Sequence, residues 1–283
     1  MAYTAEISRA NPSCFLFLVD QSGSMVDPLA GDARRNKAQS VANTINTFLK
    51  DLVIMCSKSE GVRDYYHVGV VGYANEHAGP AFGGALAGRQ LVPVSEVANH
   101  PARIEERTQE RIEDGGAVSY FANQTIKFPI WFNPVANGGT PMCKALKLAH
   151  QILSEWLLRH PTCFPPVVIH ITDGESTDGD PSEAMQSLTS LASNDGNVLL
   201  FNVHLSSHQN ARPVSFPESS AGLPDQYSRM LWQRSSPLTP FMISVARDYG
   251  LFLNEGARGF VLNADLELVI QTLDIGTRPS NLR

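Results

Sequence analysis

Three short segments carry side chains whose types and spacing suit one chemistry. The first is Asp20-Gln21-Ser22-Gly23-Ser24, the second is Gly138-Gly139-Thr140-Pro141, and the third is Thr172-Asp173-Gly174. Asp20, Ser22, Ser24, Thr140 and Asp173 together offer two carboxylates and three hydroxyls, all oxygen and neither nitrogen nor sulfur. Such a donor set suits a hard cation, Mg²⁺ first, with Mn²⁺ or Ca²⁺ as alternatives, rather than zinc or copper. Each segment alone has a plainer use: a hydrogen-bonded turn at Asp20, a helix cap at Thr140, a turn pair at Asp173-Gly174. What points to a cation is that all three stand together, in order, at strand ends expected to share one edge.

Stepping along the chain, residues 14–19 form a continuous apolar run, the pattern of a strand buried on both faces, and Asp20 terminates it. From Asp32 to about Cys56, Ala38, Val41, Ala42, Ile45, Phe48, Leu49, Leu52 and Val53 recur at helical spacing, with Asp32 available as cap. Residues 65–73 read as a strand, Gly79, Gly83, Gly84 and Gly88 as a turn, and residues 90–94 as a second strand. Residues 95–136 lack a clear period and read as an irregular insertion. Thr140-Pro141 then starts a helix with Ala145, Leu146, Ala149, Ile152, Leu153, Trp156 and Leu157 as its buried stripe.

Residues 167–172 are the next buried strand. Asp180-Pro181 opens a helix with Ala184, Met185, Leu188, Leu191 and Ala192 on its apolar face, and residues 198–205 form another strand. Residues 206–233, with Pro213, Pro217, Gly222 and Pro224, read as a long loop. Ser236-Pro237 starts a helix faced by Leu238, Phe241, Met242, Val245, Ala246 and Tyr249. A strand at 259–262 and a terminal helix through Leu266, Val269, Ile270 and Leu273 complete the order. This alternation predicts a single doubly wound α/β sheet, mostly parallel, with helices on both faces. In such sheets ligands sit beyond the carboxyl ends of the strands, where connections diverge.

The three segments match, in type, order and context, the metal-ion-dependent adhesion site of the von Willebrand factor type A (integrin I-like) domain, a family this sequence resembles over about residues 13–275. The resemblance implies that Ser22, Ser24 and Thr140 bind the cation through hydroxyls, with Asp20 and Asp173 contacting it directly or through water. It also implies one antiparallel edge strand, placed at residues 90–94, and makes 95–136 and 206–233 insertions relative to a minimal domain. Many intracellular members are protein-binding modules. The expected function is therefore a metal-dependent interaction domain, without catalysis, whose cation is coordinated by an Asp or Glu carboxylate of another protein. Two site carboxylates leave a divalent cation roughly neutral, and neutral hydroxyl ligands keep it electrophilic, so an incoming carboxylate meets little repulsion. Surrounding surface must then select the partner, and the 206–233 loop, leaving the sheet on the same edge, is the candidate.

Other chemistries fit less well. A Mg²⁺-dependent phosphohydrolase using Asp20 is the alternative, but such enzymes resemble Asp-x-Asp, and here Ser22 stands where the acid-base is needed. No Gly-x-Ser-x-Gly marks a serine hydrolase. His204 and His208 straddle a strand end rather than a helix face, His170 lies inside an apolar strand, and Gly83, Gly84 and Gly88 lack nucleotide-loop spacing. Phe128, Trp131 and Phe132 read as packing the insertion onto the domain.

Composition sets the outer bounds. The 283 residues are 43 % apolar and 18 % charged with a net charge of -6, a folded composition with no basic footprint for nucleic acid or anionic membrane. No apolar run approaches the ~20 residues that span a bilayer. Four scattered cysteines, Cys14, Cys56, Cys143 and Cys163, fit neither a disulfide framework nor a zinc site, and the expectation is a cytoplasmic protein.

Overall fold

A computed structural model of the chain describes residues 3–29, 32–112, 118–205 and 213–263. The terminal helix expected through Leu266 to Leu273, and His208, lie outside them.

The apolar run near the N-terminus becomes β1 (Ser13–Asp20), every residue of it buried. Its alternate side chains face two separate cores. Phe15, Phe17 and Val19 pack with α1 (Lys37–Cys56) on one face, while Cys14, Leu16 and Leu18 pack on the other with helices named below. The chain returns through β2 (Tyr66–Ala74), parallel to β1, and turns back through β3 (His77–Pro80) and β4 (Val92–Pro93), both antiparallel to β2. The antiparallel edge is thus made of two pieces: β3 lies upstream of the expected 90–94, and only residues 92–93 of that stretch pair.

Residues 95–136 are not irregular. After α2 (Val94–Asn99) they form a long antiparallel hairpin, β5 (Arg103–Ile112) and β6 (Val118–Ile130). Its apolar base is clamped to the domain as the aromatic run suggested. Phe128, Trp131 and Phe132 are all buried. The buried Asn46 amide on α1 accepts the Trp131 and Phe132 amides at 2.8 and 3.1 Å and donates to the Phe132 carbonyl at 2.8 Å. Six of the ten residues of β5 are charged, so this strand shows no apolar alternation, which is why the period is missing.

Then come α3 (Met142–Arg159), β7 (Val167–Thr172), α4 (Ser182–Ser190), β8 (Leu199–His204), β9 (Val214–Ser215), α5 (Gln226–Arg234), α6 (Pro240–Asp248) and β10 (Phe260–Leu262). The sheet order is β9-β10-β8-β7-β1-β2-β3, with β4 also on β2. The five strands from β10 to β2 are mutually parallel, and β9 is an antiparallel pair at the far edge. Helices α1, α2 and α6 contribute to the core on the Phe15 face, and α3, α4 and α5 to the core on the Leu16 face. The doubly wound α/β class is as expected.

Four local boundaries differ. Helix α1 begins at Lys37, not near Asp32, because Asn36 and Gln39 form a reciprocal capping box at 2.8 and 3.2 Å, while residues 32–36 pair back on 28–29 as a short hairpin. Helix α4 stops at Ser190, leaving Leu191 and Ala192 outside it. Within the expected 206–233 loop, Asp225 caps α5 through the Ser228 amide at 2.6 Å, an Asp-x-x-Ser signal that the surrounding prolines obscured. Helix α6 starts at Thr239-Pro240 rather than Ser236-Pro237, since the Ser236 hydroxyl accepts the Leu200 amide at 2.9 Å instead.

Candidate metal centre

The topology opens a crevice where the site residues lie. The exit of β1 leads to α1 on one face and the exit of β7, its neighbour, leads to α4 on the other. Register aligns the strand ends: Asp20 is opposite Tyr73, and Thr172 is opposite His204. After β1 the chain makes a 3₁₀ turn, Gly23–Val26, whose Met25 side chain is fully buried and pins the loop to the core.

Four of the five expected ligands share one chain of hydrogen bonds. Asp20 Oδ1 accepts the Ser22 amide and Oδ2 accepts the Thr172 hydroxyl, each at 2.8 Å. The Ser24 hydroxyl donates to Asp173 Oδ1 at 2.7 Å. Because its proton is committed there, the 3.1 Å contact between Ser22 Oγ and Ser24 Oγ runs with Ser22 as donor. Thr140 is placed beside them through backbone bonds rather than its hydroxyl. Gly23 donates to the Gly138 carbonyl at 2.8 Å and Asn137 to the Gln21 carbonyl at 2.7 Å, while Thr140 and Thr177 bond reciprocally at 3.0 and 2.9 Å. Gly138 is required for this path: its φ is +70°, and a Cβ would meet Asn75 Oδ1 at 1.7 Å.

Thr140 does not cap α3 with its side chain. That work falls to Asp178, whose carboxylate accepts the Cys143 and Lys144 amides at 2.9 and 3.0 Å. Burial opposes ionisation of Asp178, yet these amide bonds hold its carboxyl below the usual range. Thr140 itself is 5 % exposed.

Electrostatically the cluster is unusual. Asp20 is completely buried, and desolvation pushes its carboxyl up to about 6 despite the bonds from Ser22 and Thr172, with Asp173 adding repulsion. Beside it, the Lys37 ammonium reaches in from the first residue of α1 and donates to Asp173 Oδ2 at 2.8 Å, both side chains being almost fully buried. Lys37 was not a sequence candidate, because a lysine opening a helix carries no signal of where its stem will turn. Thr172 was also missed as a participant, though it directly precedes Asp173.

The residues fit a hard cation on two counts. Around an octahedral ion with metal–oxygen distances of about 2.0–2.1 Å, neighbouring ligand oxygens lie about 3 Å apart, close to the 3.1 and 2.7 Å spacings of Ser22, Ser24 and Asp173. A second count is that the cluster already holds a positive charge, the Lys37 ammonium, against a carboxylate. Among the described residues no three His, Cys, Asp or Glu side chains gather as a metal-holding group; hydroxyls supply the remaining donors here.

The histidines resolve differently. His170 Nδ1 meets Asn202 Oδ1 at 2.8 Å, and Asn202 Nδ2 donates to the Leu231 carbonyl and Ser235 Oγ. His170 therefore carries its proton on Nδ1, and Nε2 accepts the Tyr73 hydroxyl at 2.7 Å. Burial lowers His170 to about 4, so it is a neutral core residue. His204, also buried, contacts the Thr172 carbonyl through Nδ1 at 3.3 Å. Beside the Asp173 loop a groove of about 500 Å³ is lined by Glu175, Asp180, Gln226, Tyr227 and Arg229, so α5 forms one wall of the site's surroundings.

Comparison with protein-family models finds no match, and neither does comparison with curated proteins. Among solved structures the chain is similar to a von Willebrand factor type A protein from Catenulispora acidiphila. That match has 18 % identity and a TM-score of 0.40, covering 69 % of this chain and 33 % of that one. It is also similar to the von Willebrand factor domain of a type V pili tip protein from Porphyromonas gingivalis, with 15 % identity and a TM-score of 0.31, covering 59 % of this chain and 39 % of that one. The chain thus spans between 33 % and 39 % of the length of these two solved chains.

Proposed function

We propose that the chain is a von Willebrand factor type A-like protein-interaction module whose site binds a divalent cation, Mg²⁺ or in its place Mn²⁺ or Ca²⁺, and through it a carboxylate of a partner protein. One observation carries this reading: Asp20, Ser22 and Ser24 on one loop and Asp173, 149 residues beyond Ser24, form one hydrogen-bonded set of oxygen donors at the crevice between β1 and β7. Ser22, Ser24 and Thr140 would hold the ion through hydroxyls and Asp173 through its carboxylate. Asp20, with both oxygens engaged, would orient Ser22 and supply negative charge directly or through water. When bound, the cation supplies an electrophile for an incoming Asp or Glu. The chain's own residues hold that position, keep it near charge balance and present the α5 groove, where Gln226 and Arg229 are exposed for partner selection.

The module has no catalysis of its own in this reading. Asp20 is fully buried with both oxygens accepting hydrogen bonds, which suits a positioned charge better than the nucleophile of a phosphohydrolase. The compartment is proposed to be a reducing cytoplasm, in keeping with four cysteines that are all free and buried. Among the described residues no helix is long and apolar enough to cross a membrane.

The test is isothermal calorimetry of Mg²⁺ and Mn²⁺ into the chelator-treated protein, followed by retention of partners with metal and with chelator. One-to-one binding, and a partner released by chelator or by free acetate, is the expected result. Turnover of a phosphate ester that Asp20→Asn abolishes would replace this reading with the enzyme.

A further inference from the structure

A metal site built from two carboxylates and hydroxyls does not ordinarily need a cation of its own. Here one is built in. Lys37 Nζ lies 2.8 Å from Asp173 Oδ2, and the two side chains are 4 % and 0 % exposed, so this is a desolvated ion pair rather than a surface contact. Asp173 Oδ1 is simultaneously taken by the Ser24 hydroxyl, which in turn meets Ser22. Both oxygens of Asp173 are therefore committed, one of them to a positive charge.

We infer that Lys37 is a tethered counter-ion that occupies the charge position of the metal at Asp173, and that divalent cation binding requires its ammonium to leave. This rests on the proposed metal-binding reading of the site. A carboxylate accepting a buried ammonium is neutralised, and a divalent ion entering beside that ammonium would meet like charge at short range in a poorly solvated crevice. Removal of the ammonium restores the surplus negative charge that draws a cation in.

The local structure makes that exit a side-chain event. The Lys37 backbone is fixed: its amide donates to the Asp27 carbonyl at 3.0 Å, and the Asn36–Gln39 capping box holds the first turn of α1. Its stem, by contrast, has four methylenes and rotatable bonds throughout, so the ammonium can swing away without unwinding the helix. The consequence is a threshold. In the metal-free site Asp173 is already neutralised by Lys37, and affinity for the cation is set lower than the donor set alone would give.

Calorimetry of Mg²⁺ into wild type, Lys37→Met and Lys37→Arg separates the outcomes. Met keeps the apolar stem length and removes the charge; thermal denaturation of each variant checks that it folds. Lys37→Met is expected to bind Mg²⁺ at least tenfold more tightly than wild type, and Lys37→Arg no more tightly. The gain should persist at high salt, since a charge acting from a distance is screened and a buried competitor is not. On the unaltered protein, acylation by an amine-reactive reagent, read by mass spectrometry, is expected to rise at Lys37 when Mg²⁺ is added, with Lys144 as internal reference. Equal Mg²⁺ affinity in wild type and Lys37→Met, or metal-independent labelling of Lys37, overturns the inference while leaving the metal site standing. Absence of binding in all three proteins overturns the site itself, and the inference with it.

Discussion

Two buried polar clusters sit within one sheet. Tyr73, His170, Asn202 and Ser235 are linked by hydrogen bonds of 2.7 to 2.9 Å, every partner is neutral, and each donor meets an acceptor. A short way along the same strands, Asp20 and Asp173 bring two carboxylates against one ammonium, with hydroxyls between them. The first cluster is closed: protonating His170 is opposed by burial, and nothing in it calls for a ligand. The second is buried too, apart from the partly exposed Ser24, and carries a carboxyl that desolvation holds up at about 6. Hydrogen bonding is alike in both; what separates them is charge, the first being neutral throughout and the second setting two carboxylates against one ammonium at the strand ends.

That contrast breaks down most clearly by substitution at Asp20. Asp20→Ala is expected to lower Mg²⁺ affinity by at least a thousandfold, about 4 kcal/mol, in a calorimetric titration, while leaving the His170 network intact. Retained affinity would remove Asp20 from the site.

The converse substitution acts on stability. His170→Ala leaves a cavity and strands the buried Tyr73 hydroxyl and Asn202 amide, so chemical denaturation should show a loss of about 3 kcal/mol, with Mg²⁺ affinity changed by less than twofold. A comparable loss of metal affinity would mean the clusters are coupled and the distinction false.

The pH response sharpens the comparison further. Asp20 has an ordinary carboxyl value of 3.8 and a folded value of about 6, so the folded state binds the extra proton. Its stabilising contribution is present below the unfolded value and is lost as pH rises through 6. Relative to Asp20→Asn, the metal-free wild type should therefore lose on the order of 2 kcal/mol between pH 4 and pH 7.5 in denaturant melts. Added Mg²⁺ should recover stability at the higher pH in the wild type and not in Asp20→Asn. A flat difference between the two proteins would place Asp20 in a more solvated setting.

The smallest effect concerns the groove on α5. Gln226→Ala with Arg229→Ala should leave Mg²⁺ affinity within twofold and weaken retention of a chelator-released partner about tenfold, about 1.4 kcal/mol. These point substitutions leave the Asp225 cap and the start of α5 in place.

The candidate ligand residues could be picked out because their side-chain types and spacing are local, and their strand-end context follows from apolar runs that stop at Asp20 and Thr172. The strands and most helices were legible for the same reason: β1, β7 and β8 are buried on both faces, and α3 carries a regular apolar stripe. Several features were hidden although the signal was printed in the chain, as with the Asn36-x-x-Gln39 box and the Asp225 cap. Others had no local signal. In the 103–130 hairpin, β5 is charged at six of its ten positions, so apolar periodicity could not reveal it. The two-piece antiparallel edge depends on β3 and β4 pairing with different stretches of β2, residues 71–74 and 67–68.

The sequence by itself determined the parallel α/β class and singled out Asp20, Ser22, Ser24, Thr140 and Asp173 as candidate oxygen donors, because hydrophobic period and side-chain type are properties of neighbouring residues. Only the tertiary structure decided that Asp178 caps α3 in place of Thr140, and that Lys37 stands against Asp173. Those two pairings span 35 and 136 residues, and a contact over such separations exists only once the sheet has brought the strand ends together.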